Sequence, residues 1–130
     1  MVFKEAERRT CDRFVIPGAT VTYKKDTLFR NPDYSYYEYP VYNISKGGIN
    51  FFCDNSLIHG VSLILKLTIP DEEEIIIRGK VAWITMNMGE SWKYQVGVQF
   101  EPYGEKRGQN SHDILEKINL WEGKYRESGE

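Results

Sequence analysis

Ser62-Leu63-Ile64-Leu65-Lys66-Leu67-Thr68-Ile69 decides the fold class. Leu63, Leu65, Leu67 and Ile69 stand at every second position with Ser62, Lys66 and Thr68 opposite, and a period of two marks a strand with one face buried. Downstream, Pro70-Asp71-Glu72-Glu73-Glu74 reads as a turn. Ile75 to Thr85 continues as a long strand with Gly79, Val81 and Trp83 on one face, and Gly79 supplies the bend that barrel closure needs. The last strand, Tyr94 to Phe100, sets Tyr94, Val96, Val98 and Phe100 against Gln95, Gly97 and Gln99. Beyond Gly104 the spacing changes to three and four, at Ile114, Leu115, Ile118, Trp121 and Tyr125. That is one amphipathic helix, with Asn110 and Ser111 as candidate caps.

Upstream, Ile49 to Cys53 is a strand closed by Asp54-Asn55-Ser56, and Tyr37 to Ser45 is another, with Pro40 at an edge or bulge position because it cannot donate to a ladder. Residues 26–36 form a long hairpin loop. In Ile16 to Lys25, Val21 and Tyr23 alternate with Thr20, Thr22 and Lys24 after the Pro17-Gly18 punctuation. Residues 1–15 carry charges of both signs without a sustained period and read as an exposed arm. Six strands and one terminal helix argue for an antiparallel barrel or sandwich whose open end the helix covers. The expected organisation is one domain: arm 1–15, β core 16–104, helix and tail 105–130.

Composition narrows the function classes. A chain of 130 residues, 41% hydrophobic and 28% charged, fits one globular domain. Its net charge of -2 lacks the basic excess that grips a polyphosphate backbone, so no nucleic-acid partner is expected. No run approaches the ~18 apolar residues of a membrane span, so no membrane insertion is expected. Two cysteines, Cys11 and Cys53, and a first segment without a signal-like apolar run give an expectation of free thiols and a cytoplasmic location. His59 and His112, with carboxylates such as Asp113 or Asp71 to Glu74 in the neighbouring sequence, have neither metal-ligand nor triad spacing. No catalytic residue, metal or cofactor is therefore assigned, and the chain is read as a binding protein rather than an enzyme.

Two segments can hold a ligand. Arg9 and Arg13 are four residues apart, on one side of a helical turn or of a strand, with Arg8 beside them. Their guanidinium forks suit phosphate oxygens or the O6/N7 edge of guanine. Taken alone, the three are solvated charges paired with Glu5, Glu7 and Asp12. In Asn43-Ile44-Ser45-Lys46-Gly47-Gly48, Asn43 and Ser45 share one strand face while Ile44 points to the core. Gly47 and Gly48 can adopt positive φ and let a ligand approach the backbone. Taken alone, this is an ordinary hairpin turn.

Together, in this order and ahead of this strand series, the segments resemble the signature of the PilZ domain family. That signature is Arg-x-x-x-Arg followed some tens of residues later by Asp/Asn-x-Ser-x-x-Gly. Arg9-Thr10-Cys11-Asp12-Arg13, with the extra Arg8, matches the first half, and Asn43 to Gly48 the second. Gly79-Lys80-Val81-Ala82-Trp83 and Val96-Gly97-Val98-Gln99-Phe100 resemble later strands of the family, so the likeness covers about residues 7–125. The resemblance implies an all-β fold, a six-stranded antiparallel β-barrel of the split-barrel type with one C-terminal α-helix, and a cyclic di-GMP ligand. It gives Arg9 and Arg13 to phosphate and guanine, Arg8 to added charge or stacking, Asn43 to a guanine edge and Ser45 to a phosphate or base atom. Gly47 and Gly48 permit close approach. The implied action is a conformational change, the arm folding over the barrel, that signals to a downstream protein partner. The alternative is an adaptor that works without nucleotide. The stretch Tyr34 to Tyr42 is more aromatic than the family's first hairpin and reads as aromatic cover, with a partner surface as its other reading.

Overall fold

Leu63, Leu65 and Leu67 are all buried, as a period of two requires, in a strand that pairs on both sides. The computed structural model describes residues 13–28, 30–87 and 91–128. Its strands are β1 (Thr20–Lys25), β2 (Tyr39–Ser45), β3 (Gly48–Cys53), β4 (Ser62–Thr68), β5 (Ile75–Met86) and β6 (Tyr94–Phe100), followed by helix α1 (His112–Ser128). They close in the order β1-β2-β3-β6-β5-β4, with every neighbouring pair antiparallel. A closed six-stranded antiparallel barrel with one C-terminal helix is the fold the resemblance implies. Inside it, Val21, Ile44, Ile49, Phe51, Leu65, Ile77, Val81 and Val96 are at most 1% exposed. Each fully buried branched side chain contributes about 1.5–3 kcal/mol.

Closure is thinnest between β1 and β2, whose register holds Thr20 against Pro40 and Val21 against Tyr39. The segment before β1 completes it. Phe14 exchanges both backbone hydrogen bonds with Ile44 at 2.9 Å, and the Val41 N–H donates to the Ala19 carbonyl at 3.1 Å. Phe14 and Ile16 are buried while Arg13 and Val15 are exposed, so these residues alternate like a strand. Between them and β1 the chain turns at Gly18, whose φ of 79° favours glycine.

Two β-bulges break the alternation that the sequence suggests. On β2 the register shifts between Val41 and Asn43, and on β5 between Val81 and Trp83. The second corrects the expectation that Trp83 shares a face with Gly79 and Val81. The extra residue, Ala82, turns Trp83 to the outside and Ile84 toward the core.

Helix α1 seats Ile118 and Trp121 in the core. Lys117 and Lys124 reach Glu73 and Glu72 on the β4–β5 turn, each at 3.2 Å. Exposed pairs of this kind contribute little, so the apolar seat holds the helix. Asn110 is not the helix cap that the sequence suggests. Its side-chain amide accepts from the Arg78 N–H at 2.8 Å and donates to the Arg78 and Glu101 carbonyls at 3.0 Å. It thus clamps the helix approach to β5 rather than satisfying the first helical turn.

Candidate functional site

The β2–β3 turn is held from three sides. The Gly47 N–H donates to Ser45 Oγ at 3.1 Å, the Gly47 carbonyl accepts from the Phe100 N–H at 2.9 Å, and the Lys46 carbonyl accepts from the Tyr103 hydroxyl at 2.6 Å. Ser45 is 2% exposed, so its hydroxyl serves the turn itself. The expected positive φ at Gly47 and Gly48 is not found: the positive-φ glycines among the described residues are Gly18, Gly60 and Gly108. Gly48 instead answers to space, because a Cβ there would press on the Val98 carbonyl oxygen across the β3–β6 pair.

Phe14 brings Arg13 to this turn. Antiparallel register around the Phe14–Ile44 bridge places Arg13 opposite Ser45 on the outer face. The Arg13 Nη1 donates to Asn43 Oδ1 at 3.1 Å. Arg13, Asn43, Ser45, Gly47 and Gly48 are thus gathered at one place. Arg8 and Arg9, like Cys11, lie outside the described residues.

From Asn43 a row of outward-facing positions crosses the barrel: Asn43 pairs with Asn50, Asn50 with Gly97, and Gly97 with Trp83. At strand spacings of about 4.8 Å the row runs roughly 14 Å. Asn50 is 7% exposed, and its Oδ1 accepts from Gln95 Nε2 at 3.1 Å. Trp83 is 36% exposed and its indole lies directly over Gly97, where a Cβ would collide with the ring. A second row joins Ser45, Gly48, Gln99 and Lys80. Neither row contains a carboxylate, while Arg13 and Lys80 bring positive charge. The arrangement offers an anion a guanidinium and an ammonium, and a planar base an indole face and amide edges.

Sequence reading missed Trp83, Lys80 and Asn50 as members of this surface. A trace of Trp83 was present: Trp83-Ile84 places two large apolar residues in succession where alternation would have one. Asn50 and Lys80 join through strand register, which single-strand periodicity does not contain.

The PilZ domain family model matches residues 7–116 of the chain. No curated protein matches it in sequence. Among solved structures, the Bacillus subtilis inhibitor of motility MotI/DgrA is similar at 20% identity with a TM-score of 0.62, over 87% of this chain and 49% of that one. MrkH, described as a c-di-GMP-dependent transcription regulatory factor, is similar at 21% identity with a TM-score of 0.51, over 83% of this chain and 49% of its own. The chain thus spans about half the length of either structure, and at these identities the likeness is one of fold.

Proposed function

The chain belongs to the PilZ domain family, and from that premise we propose that it is a cyclic di-GMP receptor whose site is the Arg13–Asn43 junction and the row running to Trp83. The observation that carries this reading is the hydrogen bond from Arg13 to Asn43, which joins the two halves of the family signature across thirty positions of sequence. In this reading Arg13 releases Asn43 to a guanine edge and turns its fork to phosphate oxygens, an exchange of a neutral acceptor for an anionic one that favours the bound state. In the same reading Arg9, four residues before Arg13 and so within about 14 Å of extended chain, also takes a phosphate or a guanine edge, and Arg8 adds charge or stacking. Trp83 offers its face to a base, and Ser45 keeps the turn in shape rather than reaching outward.

Because Phe14 anchors the arginine segment in the barrel, ligand contacts made before Phe14 reorder that segment against a fixed floor. The surface so formed is what a downstream protein partner reads, with the nucleotide rather than catalysis as the signal. Displacement of a fluorescent cyclic di-GMP analogue from the full chain tests the reading: unlabelled cyclic di-GMP competes and GMP competes far more weakly. Equal competition by the two would contradict it.

A further inference from the structure

Next to the row that ends on Trp83 lies a cleft of about 410 Å3 lined by Tyr42, Phe52, Asn87, Ser91, Trp92 and Gln95. Its volume falls within the range of small-molecule sites. Of these described residues three are aromatic, the other three carry amide or hydroxyl groups, and none is charged. These walls suit an occupant with flat apolar faces and a polar edge.

The walls are fixed from behind. The β2 bulge sends Tyr42 outward, where its ring meets Phe52 edge-on at 5.6 Å and 71°. Trp92 stands edge-on to the buried Tyr39 at 5.5 Å and 80°, which holds the indole against the core. Below the cleft, the Asn87 N–H donates to the Lys93 carbonyl at 2.7 Å and closes the loop base. Bulges are enriched beside binding sites because they re-aim side chains, and here one bulge presents Tyr42 and the other Trp83.

The cleft also shares a hydrogen bond with the candidate nucleotide site. Gln95 lines it and donates to Asn50, the second position of the Asn43–Trp83 row. Gln95 and Gly97 lie two residues apart on the outer face of β6, about 7 Å. A group in the cleft thus sits one pleat away from a base on Trp83.

We propose that this cleft is a second base pocket, which takes a neutral two-ring heterocycle of the purine class between Tyr42, Phe52 and Trp92, with Gln95, Asn87 and Ser91 at its polar edge. The purine is either carried by the nucleotide of the main site or belongs to a separate nucleoside. Only the first source rests on the cyclic di-GMP reading.

The three indole N–H signals, from Trp83, Trp92 and Trp121, test this in the full 15N-labelled chain, each assigned by its Trp→Phe variant. Guanosine and cyclic di-GMP are the probes, and buried Trp121 is the internal reference. The Trp92 signal is expected to shift saturably with at least one probe, and Gln95→Leu or Tyr42→Ala is expected to weaken that shift at least tenfold while leaving Trp121 in place. A Trp92 shift with cyclic di-GMP alone assigns the pocket to the main-site nucleotide. A shift with guanosine while Trp83 stays still assigns it to a separate nucleoside, and stands even if cyclic di-GMP does not bind. A shift of Trp83 without Trp92, at saturation by cyclic di-GMP and with guanosine inert, overturns the pocket and leaves the receptor reading intact. No response of Trp92 to either probe overturns it as well.

Discussion

Arg13 Nη1 donates to Asn43 Oδ1 at 3.1 Å, so the acceptor beside the barrel turn is engaged by the arginine that precedes the barrel. The pairing is local: it depends on the Phe14–Ile44 bridge, which fixes where Arg13 emerges.

Replacing Arg13 with Ala is expected to weaken cyclic di-GMP binding by about tenfold or more, from the roughly 1.5–3 kcal/mol of a hydrogen bond to a charged group. Arg13→Lys recovers only part, because an ammonium keeps the charge and loses the fork. Arg9→Ala and Ser45→Ala also weaken binding, the second through the shape of the turn. Equilibrium titration of the four variants, with circular dichroism to show an intact barrel, measures this.

At Gly97 the two sides of a contact differ in how far they can give. A Cβ there meets the Trp83 indole, whereas one at Gly79 meets Val98 Cγ1 at 2.6 Å and the Gln99 carbonyl oxygen at 2.7 Å. Gly97→Ala is therefore expected to displace a half-exposed ring and weaken ligand binding with little loss of thermal stability. Gly79→Ala lowers the melting temperature. Trp83→Ala removes base stacking worth about 1–3 kcal/mol and weakens binding by about five- to 150-fold.

Asn110 is 3% exposed and bonds three backbone groups through its side chain. Truncation to Ala removes that partner; the Arg78 carbonyl keeps its bond from the Glu101 N–H, and losing the amide's bonds to the Arg78 N–H and the Glu101 carbonyl is expected to cost about 3 kcal/mol, at roughly 1–3 kcal/mol for each buried group left unsatisfied. Chemical denaturation of Asn110→Ala against Asn110→Asp, which retains the acceptor for the Arg78 N–H, checks this. Near neutral pH the Asp variant is destabilised at least as much as Ala, because a buried carboxylate then faces the Arg78 and Glu101 carbonyls, and it recovers at low pH, where a protonated carboxyl can donate to one of them.

Burial pushes the Tyr39 phenol up to about 12 from its ordinary 10.0 and also raises Tyr23. The folded state therefore holds these protons more tightly than the unfolded state. Their contribution is intact below pH 10 and is lost as pH rises toward 12. Denaturation midpoints are expected to fall across that window, and Tyr39→Phe to flatten the fall. Burial likewise pushes the Cys53 thiol up, so Cys53 resists thiol reagents at neutral pH until the barrel unfolds.

How far the fold was legible depended on which period each segment kept. Leu63 to Leu67 and Val96 to Phe100 keep strict alternation, and their strands lie where it puts them. β2 and β5 change phase at Tyr42 and Ala82, where a bulge adds a residue without changing composition, so plain alternation puts Trp83 on the face of Gly79 and Val81. The signature halves were legible as motifs. Their junction was not, because it needs Phe14 to pair with Ile44, a long-range contact that neither segment encodes alone. Asn110 reads as a helix cap because Asn before a helix does that work elsewhere, and here the Arg78 N–H and carbonyl of β5 compete for the same amide.

Isothermal titration of the full chain with cyclic di-GMP bears most directly on the receptor reading. Saturable heat with micromolar or tighter affinity, sharply reduced in Arg13→Ala, is the predicted result. No heat at high protein concentration would contradict it and leave the chain as an adaptor that works without nucleotide.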